Sequence, residues 1–263
     1  MKIALRVIII GLVFAGPIQA GASDGDVFKA RRQALMEKLD GGVAVLYGAN
    51  DASAIVKGGF IQESSFYYLT GISEPGAALI LAPGEHRYKE TLYLQPRNPE
   101  IENWDGRREP LGDALNEALG FDRVARTYAL PSDLTAMLQR NKKAVFLGPI
   151  VSATADIPDA LSMLRDAQSR VPGTSLTNMA DLIPEMRRIK DTQEVAKIQK
   201  AIDITGKGIV AAMKAVEPGQ LEFQLQSVVE HAYEMEGAQF LGFSTILAWG
   251  PNTTVLHLSL IHI

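Results

Sequence analysis

Phe60-Ile61-Gln62-Glu63-Ser64-Ser65-Phe66-Tyr67-Tyr68-Leu69-Thr70-Gly71-Ile72-Ser73-Glu74-Pro75 sets three consecutive aromatics behind a polar run. Gly71 breaks that element, and Glu74-Pro75-Gly76 turns the chain. An apolar run from Ala77 to Ala82 follows, closed by Pro83-Gly84. The pattern reads as an aromatic-rich buried element, a turn, and then a core strand.

Working outward, Phe28 to Leu39 spaces apolar positions with Lys and Arg between them and predicts an amphipathic helix ended by Gly41-Gly42. Val43 to Tyr47 predicts a buried strand, Asp51 to Gly59 a loop, and Glu90 to Gln95 a third strand. Pro96 to Pro110 is polar and reads as a turn-rich loop containing Trp104 and Arg107-Arg108. Further helices are predicted over Leu111 to Leu119, from a Ser132 cap through Gln139, and over Asp159 to Arg170, with a strand at Ala144 to Leu147. Helices alternating with short apolar strands give an α/β sandwich. A boundary is placed where the chain turns polar, at 172–179.

The second segment opens with Leu182 to Lys190, followed by Asp191 and, three residues on, Glu194, the signature of a capping box. Val195, Ile198, Ile202, Thr205, Ile209 and Met213 then mark a long amphipathic helix, with Gly206 and Gly208 as candidate bending points. A second helix carries Leu221, Leu225, Val228, Ala232 and Met235. Phe243 to Ala248 and Thr253 to Leu256 read as strands, the opening of an α+β domain whose sheet is not complete in this chain.

The 263 residues, 47% of them apolar, are enough to bury one sizeable core with part of a second. A formal charge of −4 without a basic cluster argues against nucleic acid. The absence of cysteine excludes disulfides, thiolate metal sites and cysteine nucleophiles. Lys2 and Arg6, an apolar run from Val7 to Gly16, Pro17, and the small residues Ala20-Gly21-Ala22 read as a secretory signal peptide. The run is too short for a comfortable membrane span, so no stable span is expected after cleavage. The expected location is periplasmic or secreted, which suits a chain without thiols.

Several separated motifs are similar to the aminopeptidase P (Xaa-Pro aminopeptidase) family. They are the aromatic stretch with Thr70-Gly71 and Glu74-Pro75; Trp104-Asp105-Gly106-Arg107-Arg108; and Arg187-Arg188-Ile189-Lys190 ahead of the long helix. Pro218-Gly219, Glu236-Gly237-Ala238, and Gly250, Asn252 and Val255-Leu256-His257 follow in order. The resemblance implies an α/β N-terminal domain with a mixed sheet and flanking helices over 23–179, after a signal peptide at 1–22. It implies the start of an α+β pita-bread metallopeptidase domain over 180–257. It also implies hydrolysis of the bond between an N-terminal residue and a following proline in proline-containing peptides. Two divalent metal ions, manganese in most members, would be held by two Asp, one His and two Glu. His257 would stand beside the metals as a catalytic residue. Trp104 would bind substrate in a neighbouring subunit of a homo-oligomer, a dimer or tetramer.

On their own, these residues have plainer readings. A histidine ending an apolar strand is commonly a core residue, a loop tryptophan a packing residue, and paired arginines a solvated surface. His231 reads as surface and His86 as a loop residue. The chain departs from the family after His257: Leu258-Ser259-Leu260-Ile261-His262-Ile263 resembles translated adapter sequence, and no Asp or Glu follows Glu236. The expectation is a fragment with a non-native tail at 258–263, without metal ligands and inactive as it stands. Prolidase or creatinase shares the architecture and is the alternative enzyme. A non-catalytic peptide-binding or assembly relative is the alternative of another class.

Overall fold

The computed structural model describes residues 22–50, 55–56, 59–149 and 151–255. His257, residues 258–263 and the residues ahead of Ala22, read as a signal peptide, lie outside them. The chain divides into two compact units, one comprising 1–55 with 60–186 and the other 56–59 with 187–263. The expected boundary at 179 falls just ahead of a helix, Leu182–Arg188, whose Ile183 is buried in the first unit's core.

The first unit is built on a six-stranded mixed sheet. Its strands are β1 (Val43–Tyr47), β4 (Ala78–Leu81), β5 (Glu90–Leu94), β6 (Arg123–Arg126), β7 (Lys143–Phe146) and β8 (Ser175–Asn178), in spatial order β6-β5-β4-β1-β7-β8. β1, β4 and β5 pair antiparallel, while β6, β7 and β8 join in parallel. Both faces are covered, which is why the central strands are continuous apolar runs. Side chains alternate between faces. Ala44, Leu46, Leu79, Leu81, Leu92 and Leu94 point to one layer; Val43, Val45, Ala78, Ile80 and Tyr93 point to the other.

Four helices contribute to the first layer: α1 (Ala22–Lys38), α2 (Ser64–Thr70), α4 (Asp113–Leu119) and α7 (Leu182–Arg188). The second layer takes α5 (Leu130–Asn141) and α6 (Asp159–Arg170), through Leu134, Leu138, Leu164 and Ala167. The expected sandwich is therefore present, with β6 and β8 in addition to the predicted strands. Both lack the apolar run that marks a strand: β6 reads Arg-Val-Ala-Arg and β8 Ser-Leu-Thr-Asn.

The aromatic stretch is helical. Glu63 caps α2, its carboxylate accepting from the Ser65 and Phe66 amides at 2.9 and 2.6 Å. Phe66 and Leu69 are fully buried; Tyr67 stays half-exposed, edge-on to Phe28 at 6.1 Å. Gly71 ends α2 in the left-handed region, its N–H donating to the Tyr67 carbonyl, and a Cβ there would meet the Phe28 ring at 2.3 Å.

Other differences are local. Pro96 to Pro110 is not simply a loop: Asn98 caps a short helix, α3 (Pro99–Asp105), with Pro99 in its first turn. α5 starts at Leu130, two residues before Ser132; Pro131 occupies the first turn and the Ser132 hydroxyl donates to the Ala129 carbonyl. The stretch read as a loop at 51–59 contributes to a pairing of β2 (Ile55–Val56) with β3 (Gly59–Phe60).

In the second unit, Asp191 and Glu194 form the predicted capping box of α8 (Thr192–Ala215). α8 runs unbroken through both glycines. Gly208 is instead a close-approach position: a Cβ there would meet the Tyr233 ring at 2.2 Å. That ring belongs to the second helix, α9 (Glu222–Met235), packed on α8. The strands expected at 243–248 and 253–256 do not form over the described residues; Gly250–Thr254 is a 3-10 turn. A strand needs a partner to satisfy its amides, and none pairs with these residues among those described.

Candidate functional site

In the first unit, the two motifs at Glu74-Pro75 and Trp104 to Arg108 meet. Glu74 is largely buried, and its Oε1 accepts from the Gln95 amide at 2.8 Å. The Gln95 side chain returns to the Gly76 carbonyl at 2.8 Å, so the turn and the end of β5 are stitched together. The Arg108 guanidinium stands 3.9 Å from the same Glu74 carboxylate and donates to the Pro96 carbonyl at 2.7 Å. Arg126, buried at the end of β6, donates to the Gln95 carbonyl at 3.0 Å and to the Glu109 carbonyl at 2.5 Å.

Burial lifts the Glu74 carboxyl above its ordinary value; the Gln95 amide and the Arg108 and Arg126 cations oppose that rise without cancelling it. Farther along the arm, Arg97 makes a bidentate pair with Glu102 at 3.0 and 2.9 Å. That pair holds the Glu102 carboxyl below its ordinary value, chiefly through the hydrogen bond.

Trp104 sits on α3, and 90% of its surface is exposed. Ile101 is half-exposed on the same short helix. A tryptophan so exposed contributes nothing to the core of its own domain, which removes the packing reading. Such a ring is suited to a contact outside its own domain.

In the second unit, the described residues leading toward His257 are tied to the start of α9. Glu222 Oε1 accepts from the Trp249 amide at 2.8 Å and from Asn252 Nδ2 at 3.1 Å. His257 itself lies outside the described residues. His86 and His231 are both exposed, as the sequence reading expects. Among the described residues, no group of three or more His, Asp or Glu side chains is arranged to hold a metal ion. No described helix is long and apolar enough to cross a membrane.

Arg126 and Glu222 escaped the sequence reading. Arg126 follows an undetected strand, and Glu222 opens a helix as one acid among many. Neither carries a local signal, because each acts through carbonyls or amides brought close only by the fold.

Two family models match in order. Residues 28–146 match the aminopeptidase P N-terminal domain, and residues 196–260 match metallopeptidase family M24. The Xaa-Pro aminopeptidase of Escherichia coli is 33% identical over 240 residues, covering 88% of this chain and 54% of that protein. That of Haemophilus influenzae is 32% identical over 203 residues, covering 75% and 44%. Proline aminopeptidase P II from Yersinia pestis superposes with a TM-score of 0.74 at 27% identity, over 89% of this chain and 55% of that one. Aminopeptidase P from E. coli with the inhibitor Pro-Leu gives 0.75 at 26%, over 89% and 54%. The chain spans about half the length of the curated relatives it matches.

Proposed function

The chain belongs to the aminopeptidase P family, and on that premise we propose that the complete protein is an exported Xaa-Pro aminopeptidase that removes an N-terminal residue preceding proline. The observation that carries this reading is the succession of the two domain matches on one chain, with relatives of that activity aligned across both. Lys2, Arg6 and the apolar run to Gly16 support export to a periplasm or beyond.

Family M24 is a metallopeptidase family, and divalent metal ions, manganese in our reading, would polarise the scissile carbonyl and activate water. The described residues do not assemble a ligand set for such ions. Two of this chain's own residues have roles in the reading. Trp104 offers a rigid aromatic face to substrate or to a second copy in a homo-oligomer, which its exposure supports. His257 would place an imidazole N–H against the reacting carbonyl, where it can stabilise developing negative charge.

The test is hydrolysis of paired tripeptides, Xaa-Pro-Yaa and Xaa-Ala-Yaa, by the protein of the complete gene with added manganese. Release of the first residue only from the proline peptide is expected. Equal cleavage of both, or of neither, would overturn the assignment. Fusing residues 1–30 to a reporter active only after export tests location, and a reporter that stays inactive rejects export.

A further inference from the structure

The 96–110 arm is fastened at its base from both sides. Its entering end is held at Gln95 by Glu74 and Arg126, and at Pro96 by Arg108. Its leaving end is held by Arg126 through the Glu109 carbonyl, while Arg108, itself on that end, faces Glu74. Arg126 therefore spans the gap between the two ends with one guanidinium, and Arg108 closes it a second time. Between these ties the arm projects a tryptophan that is 90% exposed. Two buried or half-buried arginines whose polar contacts go mainly to main-chain carbonyls are an unusual investment for a surface loop. Ordering a segment costs conformational entropy at every residue, so a loop with no need of a fixed shape gains nothing from it.

We propose that Arg108 and Arg126, seated against Glu74, are positioning residues: they clasp the base of the arm and hold Trp104 in one orientation for its contact with substrate or a second copy. This rests on the role given to Trp104 above. Neither arginine is expected to touch substrate. Each acts through the arm.

The complete protein is the material for the test, with Arg108→Gln, Arg126→Met and Trp104→Ala variants and an Arg108→Lys variant as the conservative rescue. Amide hydrogen exchange over 99–105 is measured beside exchange over Ala78–Leu81 in the sheet. Loss of the clasp should speed exchange in the arm by up to about tenfold, the scale of one net hydrogen bond, with the sheet unchanged. KM for an Xaa-Pro peptide should rise with kcat kept, Arg108→Lys should recover much of the loss, and Trp104→Ala should show the same KM effect. Should Arg126→Met fail to fold, Arg108, whose side chain is a quarter exposed, carries the test. Unchanged exchange in the arm overturns the clasp. Faster exchange with unchanged KM, when Trp104→Ala raises KM, overturns the positioning role. If Trp104→Ala leaves both KM and assembly, read by light scattering, unchanged, the reading of Trp104 has failed, and the use proposed for the clasp falls with it.

Discussion

Arg32 and Glu90, 58 positions apart, form an ion pair sealed inside the first unit, with side-chain exposures of 1% and 3%. The same guanidinium donates to the Leu69 carbonyl at 3.0 Å and the Gly120 carbonyl at 2.6 Å, and lies over the Phe121 ring at 3.9 Å. One side chain thus ties α1 to β5 and to the ends of α2 and α4. Removing one partner strands the other charge away from water. Arg32→Met is expected to destabilise by about 3–5 kcal/mol. Adding Glu90→Leu should recover a large part of that. Urea unfolding of the three proteins decides, and a double variant no better than the single would count against the pair as the cause.

Trp104→Ala is expected to leave the fold intact, since the ring packs on nothing in its own domain. In the complete protein it should weaken assembly or raise KM. Circular dichroism, light scattering and steady-state kinetics check this together. Loss of the fold would return Trp104 to a packing role.

His257→Ala in the complete protein should lower kcat by about 10²–10³, the usual effect of losing one donor to a developing oxyanion. Metal content should stay the same. Unchanged turnover would remove His257 from the reaction.

The raised value of the Glu74 carboxyl has a sign. Folding favours its protonated form, so its contribution is greatest below the ordinary glutamate value and is lost as pH climbs through the raised one. Glu74→Gln keeps an oxygen that can accept from the Gln95 amide and removes the titration. Between about pH 4 and pH 7, the urea midpoint of the variant should gain on that of the native chain as pH rises. A constant difference across that range would show that Glu74 does not carry the effect.

The chain of 263 residues is expected to self-associate. Ile198, Ile202, Ile209 and Met213 on α8 are about half or more exposed, and Phe223 and Met235 on α9 add to the apolar surface. Size-exclusion chromatography tests this, and a chain that elutes as a monomer would refute the expectation.

Long apolar runs and paired local signals were legible in the sequence. β1 was predicted with its observed limits, as was α6, and the Asp191–Glu194 capping box forms as read. What failed to show were elements whose reason lies elsewhere in the chain. β6 and β8 are half polar, and they are the edge strands of the sheet. The aromatic run, read as a buried element, is a helix by purely local signals: Glu63 caps it and Gly71 stops it. Of the candidate site, Trp104 was legible by type, but its exposure and the arginine clasp beneath it were not. Those depend on carbonyls of Pro96, Gln95 and Glu109 brought together by tertiary structure.

The order of strands in the sheet carries a consequence for how the chain acquires its shape during synthesis. β1, β4 and β5 lie within residues 43–94 and pair antiparallel, with β4 and β5 joined by the shortest of these connections. β6, β7 and β8 come later and are laid in parallel on the two flanks of that nucleus, β7 reaching back about a hundred residues to β1. Contacts so distant are slow to form. A nascent chain that has emerged as far as Leu94 is therefore expected to hold a three-stranded kernel with both outer edges open. Those edges remain open to mispairing until 123–126 and 143–146 arrive. Pulse-labelled exchange during refolding should protect 78–81 before 143–146, and simultaneous protection would discard this sequence of events.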